Sequence, residues 1–273
     1  MTDDDVPMGM RLKHQAGWNQ LEADWRRLLA LQPDGGFVAE LAGAAVGTVV
    51  TSRFGPVAWV AMMLVEQHVR GRGIGRALMV HALNDLDSRG IQSVRLDATP
   101  LGRPLYESLG FVVETVFTRF QGIVSPAEQA PNPTSVHFHD VLERVCSLDR
   151  DVTGTDRGQL LRRLVEEHPR SLQVVANEDG VTGFLMARPG SQARQIGPCI
   201  ADGETGPRLF AEAHERYAGE SVFIDIPDGN APAVDAATAM GLTPGRLLTR
   251  MGRGPRVVED LTRLWASAGP EKG

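Results

Sequence analysis

Tyrosine and cysteine are scarce here: two of each among 273 residues, with aromatics at 5% overall. Two thiols, Cys146 and Cys199, exclude a disulfide framework and a thiolate-rich zinc site built from this chain alone. An excess of positive charge is missing as well. Lys and Arg number 28 against 34 Asp and Glu, a formal net charge of −6, which disfavours a generic binder of nucleic acid or anionic membrane. Long apolar runs are absent; the most apolar stretch, Val57 to Val65, is too short to span a bilayer. The opening Met1-Thr2-Asp3-Asp4-Asp5 lacks the basic-then-apolar order of a secretion signal. Together these absences lead us to expect a soluble, cytoplasmic protein.

What is present is globular: 42% hydrophobic and 23% charged residues. The length is about twice that of a typical domain. Three prolines fall between Ser125 and Thr134 with no apolar periodicity, as in a linker. We therefore expect one domain over residues 1–124, a linker over 125–136 and a second domain over 137–273. Trp18, Leu21, Trp25, Leu28 and Leu29 share one helical face, which Pro33-Asp34-Gly35-Gly36 stops. Strands over Phe37–Leu41, Ala45–Thr51 and Val57–Val65 form an antiparallel meander. A helix from about Gly73 to Ser88, a strand at Val94–Leu96, a helix at Arg103–Leu109 and an extended segment to Phe117 complete the half.

The second half runs through the same programme, from a hairpin over Leu172–Ala176 and Thr182–Ala187 to a last strand at Leu247–Met251. The joint Leu109-Gly110-Phe111 returns as Met240-Gly241-Leu242. The pattern reads as a diverged duplication, with two unrelated α+β units as the alternative.

Val65-Glu66-Gln67-His68-Val69-Arg70-Gly71-Arg72-Gly73-Ile74-Gly75-Arg76 lies where a strand hands over to a helix. The first N–H groups of a helix lack intrahelical partners and sit at the positive end of its dipole. Glycines let the backbone approach a ligand, and three arginines add charge, so the segment suits a phosphate or pyrophosphate. A nucleoside triphosphate loop needs a Lys-Ser/Thr pair that is missing. A dinucleotide fingerprint fails too, because Ala77 and not Gly follows Gly71-x-Gly73 at the third place.

Arg70-x-x-Gly73-x-Gly75, together with Leu105-Tyr106-Glu107-Ser108-Leu109-Gly110-Phe111, resembles the signatures of the GNAT superfamily of acyl-CoA-dependent acyltransferases. The likeness covers one full GNAT domain over roughly residues 10–120. Leu96 to Tyr106, Ile196-Gly197-Pro198, Asp225-Ile226-Pro227 and Arg250-Met251 extend it to a tandem-domain subgroup related to YitH. The resemblance implies an α+β fold of two tandem GNAT-like domains, each a mixed, mostly antiparallel sheet flanked by helices. It implies acetyl-CoA as acyl donor, its pantetheine beside Met63, Leu64 and Val65. The pyrophosphate then falls on the segment Arg70, Gly71, Arg72, Gly73, Ile74, Gly75 and Arg76. Thr99 stands seven residues before Tyr106, where the family often has Asn, and is counted on the cofactor side.

Tyr106 is the expected general acid for the CoA thiolate, since a phenol with a pKa near 10 holds its proton at neutral pH. Glu66, His68, Asp97 or water remain open as the base. Other features offer less. His137-Phe138-His139-Asp140 has no nearby Cys or further His and is not expected to bind metal. Cys146 belongs to the helical pattern Val141, Leu142, Val145, so it reads as buried. Trp18 and Trp25 are candidates for an acceptor-pocket wall.

In the second half Asp202 and Glu204 occupy the loop and would repel a pyrophosphate, with Arg208 alone against them, and Ala237 replaces the tyrosine. One acyl-CoA site per chain is expected, with a small-molecule amine as acceptor and neither nucleic acid nor membrane as partner. A non-catalytic acyl-CoA sensor and a protein N-acetyltransferase are the alternatives.

Overall fold

A computed structural model describes residues 1–127 and 138–273, with residues 138–140 described by their backbone alone. The opening helical region is two helices, α1 (Val6–Ala16) and α2 (Glu22–Leu31). The Gly17 N–H bonds the His14 carbonyl and the Trp18 N–H that of Lys13, which closes α1. Trp18 therefore lies in the connection and not on the expected helical face. Asp24 accepts the Leu21 N–H at 2.8 Å and starts α2.

The meander follows as β1 (Gly36–Leu41), β2 (Ala44–Phe54) and β3 (Val57–Val65). Then come α3 (Ile74–Ser88), β4 (Ser93–Ala98), α4 (Arg103–Glu107) and β5 (Val112–Ile123). The second half repeats this order. It comprises α5 (Phe138–Thr153), α6 (Gly158–Glu167), β6 (Gln173–Asn177), β7 (Gly180–Arg188) and β8 (Arg194–Ala201). It continues through α7 (Thr205–Arg216), β9 (Ser221–Pro227), α8 (Ala231–Ala239) and β10 (Thr243–Arg253). A short β11 (Leu264–Ala266) has no counterpart in the first half.

The halves do not keep separate sheets. Strand order is β1-β2-β3-β4-β10-β5-β9-β8-β7-β6, with β11 beside β8. The strand that closes each repeat, β5 in the first and β10 in the second, thus lies against the other half: β10 pairs with β4 and β5 with β9, both antiparallel. The exchanged strands pair with each other along Thr243–Gly252. Arg250 secures the exchange. It donates to both oxygens of Asp97 at 2.9 and 3.0 Å and to Glu259 at 2.8 Å. Its guanidinium also lies over the Phe117 and Trp59 rings. Burial works against that charge, but Asp97 and Glu259 outweigh it and raise the Arg250 pKa.

The expected linker begins at Ser125, whose N–H bonds the Met240 carbonyl; residues 128–137, including His137, lie outside the described residues, as do the side chains of Phe138, His139 and Asp140. Cys146 and Cys199 are buried free thiols. Among the described residues no helix is long and apolar enough to cross a membrane.

Candidate active site

The site begins with a defect in β3. Thr48 faces Leu64 while Val50 faces Ala61, so β3 carries an extra residue at Met62–Met63. Met62 takes a φ of +50°, and the Thr48 hydroxyl pins its carbonyl at 2.8 Å. Such a bulge bends a strand and leaves one residue outside the ladder. The parallel pairing of β3 with β4 stops at Trp59 and Arg95. Beyond that point the strands fork around a cleft of about 770 Å³.

Met63, Leu64 and Val65 line one wall of the cleft, and Thr99 and Tyr106 the other. Arg70, Gly71 and Gly73 through Arg76 line its mouth, while Arg72 is exposed outside the lining. Gly73 precedes α3 with a φ of +81°, a conformation that favours glycine, and no side chain caps the helix. The amides of the first turn are therefore left for a ligand. Arg70 Nε donates to the Val65 carbonyl at 3.0 Å, folding the loop against the strand end. Arg76 reaches Ser108 Oγ at 2.8 Å and ties α3 to the end of α4.

The turn Thr99–Gly102 closes through N–H bonds from Gly102 and Arg103 to the Thr99 carbonyl. This sets α4 so that the Tyr106 ring lies under Gly102 and edge-on to Phe111, 6.0 Å between centroids. Burial pushes the Tyr106 phenol up to about 12. Its hydroxyl has no hydrogen-bond partner among the described residues and borders the cleft. A protonated donor is thus held beside the fork.

None of the three candidate bases is a free group in the cleft. Asp97 lines it, but both of its oxygens accept from Arg250. Glu66 lies outside the lining and accepts from Gln15 at 2.9 Å and Arg11 at 2.6 Å, which hold its carboxyl below the usual range. His68 has a side chain 74% exposed, also outside. Trp18 lines the cleft as expected, whereas Trp25 is fully buried in the core.

Three polar residues of the far wall carried no local signal in the sequence: Gln20, Arg246 and Glu271. Two of them come from the second half. Glu271 accepts from Gln20 at 2.8 Å and from Arg188 and Lys272. Burial opposes its charge, but Arg188 and Lys272 outweigh that and hold its carboxyl at about 2.

The matching fork of the second half is filled. The β8–β9 pairing stops at Ile196 and Ile224. There β11 pairs with Cys199 and Ile200, and the Ser267 N–H bonds the Asp225 carbonyl at 2.9 Å. Trp265 packs so closely on the first turn of α7 that a Cβ at Gly206 would lie 2.0 Å from its ring. Asp202 accepts the N–H groups of Thr205 and Glu204 at 2.7 and 3.2 Å, capping that helix from within. Ala237 is buried at the tyrosine's counterpart.

Two sequence models, both described as acetyltransferase (GNAT) domain, match residues 32–113 and 145–266. The uncharacterized N-acetyltransferase YitH of Bacillus subtilis is 24% identical over 240 residues, covering 85% of this chain and 82% of that protein. Mycothiol acetyltransferase of Thermobispora bispora is 42% identical over 94 residues, 31% of this chain and 32% of that one. A Pyrococcus horikoshii protein of known crystal structure superposes with a TM-score of 0.86 at 23% identity, covering 100% of this chain and 94% of that one. A tandem GNAT protein from the clavulanic acid biosynthesis pathway gives a TM-score of 0.65 at 16% identity, covering 94% and 98%.

Proposed function

We propose, from the premise that this chain belongs to the GNAT acetyltransferase family and is an acyltransferase, that it acetylates a small-molecule amine at one site, the β3–β4 cleft. One observation carries the reading: a bulged strand, an uncapped helix start and a partnerless tyrosine hydroxyl meet in a single open fork.

Acetyl-CoA supplies an acyl group activated as a thioester. In the transfer the amine nitrogen forms a bond to the carbonyl carbon, the carbon–sulfur bond breaks, the amine loses a proton and the sulfur gains one. The residues divide the work. The amides at the start of α3, with Arg70 and Arg76, hold the diphosphate; Arg72 adds charge from outside the lining. Met63, Leu64, Val65 and Thr99 flank the pantetheine arm. The bulge at Met62–Met63 offers a backbone N–H to the acyl oxygen. Tyr106 delivers the proton to sulfur.

The cleft-lining carboxylates, Asp97 and Glu271, are both committed to ion pairs, so the amine enters already neutral and no enzymic base is assigned. The Thermobispora relative is named for mycothiol, a small molecule, which supports an acceptor of that size class. Buried free thiols suit a cytoplasmic setting.

Thiol release from acetyl-CoA across a panel of small amines tests the proposal, with calorimetry of acetyl-CoA binding alongside. Saturable release with one donor site per chain is expected. Tight binding with no release over the whole panel would make the chain a binding module instead.

A further inference from the structure

Arg246 is a half-buried cation with no ion pair among the described residues. On β10, Pro244 faces Phe120 and Leu247 faces Thr118, so Gly245 and Arg246 together oppose the single residue Arg119. This second bulge turns Arg246 toward the cleft, which it lines. Its Nε is shut off from solvent and has no hydrogen-bond partner, and no salt bridge reaches its guanidinium among the described residues.

The neighbouring charges are already spent. Arg119 forms two 2.7 Å bonds to Asp225, which also accepts from Gln195. Glu271 is shared among Arg188, Lys272 and Gln20. Burial, then repulsion from Arg119, pulls the Arg246 pKa down to about 10, so it stays charged at neutral pH. A half-buried guanidinium with no ion pair, its Nε closed off from water, is a ready partner for an anion entering the cleft.

Gln20 supplies the complementary half. An ionised carboxylate only accepts, so the Gln20 amide must turn its NH2 toward Glu271. That leaves Oε1 buried and without a partner in a residue of the same cleft lining. The cleft lining therefore offers one cationic fork and one neutral acceptor.

Building on the reading above, we infer that the acceptor is an amine carrying a carboxylate, held by Arg246 through the carboxylate and by Gln20 Oε1 through an N–H. One guanidinium matches a monoanion in charge and in its two-pronged geometry; a phosphate dianion would leave a charge over. The second half thereby contributes acceptor recognition to a reaction whose donor site belongs to the first.

The test compares carboxylate-bearing amines with their neutral amides and with phosphorylated amines, in wild type and Arg246→Gln. Wild type should favour the carboxylate over the matched amide about 10- to 100-fold in kcat/KM, and the variant should lose that preference through KM. Acetyl-CoA affinity should stay unchanged and the melting temperature should not fall, because a charge with no partner is removed. Calorimetry of the N-acetylated carboxylate products with the CoA-bound protein gives a readout without turnover, and the same substitution should weaken that binding.

Equal use of amides and carboxylates, a preference for phosphorylated amines, or an equal loss on all acceptors in the variant would overturn the inference while leaving acyl transfer intact. Absent acetyl-CoA binding would instead remove the function on which it rests.

Discussion

In the proposed reaction, Tyr106 is where the chemistry rests on a single atom. Its hydroxyl is unbonded beside the fork and its pKa of about 12 keeps the proton in place over the working range. Tyr106→Phe should lower kcat about 100-fold with acetyl-CoA affinity nearly unchanged, measured under conditions where chemistry limits turnover. No free carboxylate or imidazole lines the cleft among the described residues. Accordingly kcat/KM should rise with pH along the acceptor's own ammonium titration and show no enzymic ionisation between about pH 5 and 9.

A third single-residue prediction concerns stability. Burial opposes the Glu259 charge, but Arg250 and Arg95 draw its carboxyl down from 4.5 to about 2. A depressed carboxyl stabilises the fold above its unfolded value, and that contribution is lost as pH falls through the folded one. Glu259→Gln, which leaves two buried arginines short of a partner, should cost about 3 kcal/mol or more at neutral pH. It should also flatten the acid limb between pH 4.5 and 2 in urea titrations.

At the level of elements, the loop and the tyrosine were legible because each is written in consecutive residues. Arg70 to Gly75 carry strand end, positive charge and helix start within one turn, and Tyr106 precedes its Leu-Gly-Phe joint directly. Helix α1 was not legible, since Gly9 and Lys13 share its buried face with Val6 and Leu12 and blur the apolar stripe. Gln20 and Glu271 meet across 251 positions of sequence, and Arg246 reaches the cleft only because its strand changes halves. No local pattern encodes such encounters.

The plug of the second fork was equally hidden, although the acidic loop already argued against a second diphosphate site. Trp265→Ala should destabilise the chain by about 3–5 kcal/mol and still yield one acetyl-CoA site per chain by calorimetry. The loop charges and the capped α7 start persist in that variant.

For the molecule as a whole, strand exchange makes the halves interdependent. A fragment of residues 1–124 lacks β10, so β4 has no neighbour on that side and β5 loses both of its partners. Long unpaired strand edges invite association. The fragment alone should fail to give a cooperative unfolding transition, whereas co-expression with the remaining half should restore one, as followed by circular dichroism. The duplication therefore leaves one open fork and not two: the β3–β4 fork holds the cleft and the other is closed by β11. The exchanged strand brings Arg246 to the open cleft.

Hydrogen exchange with and without acetyl-CoA measures this division most directly. Protection confined to backbone amides of residues 62–77 is the predicted result. Protection over residues 199–209, or none in either half, would contradict it.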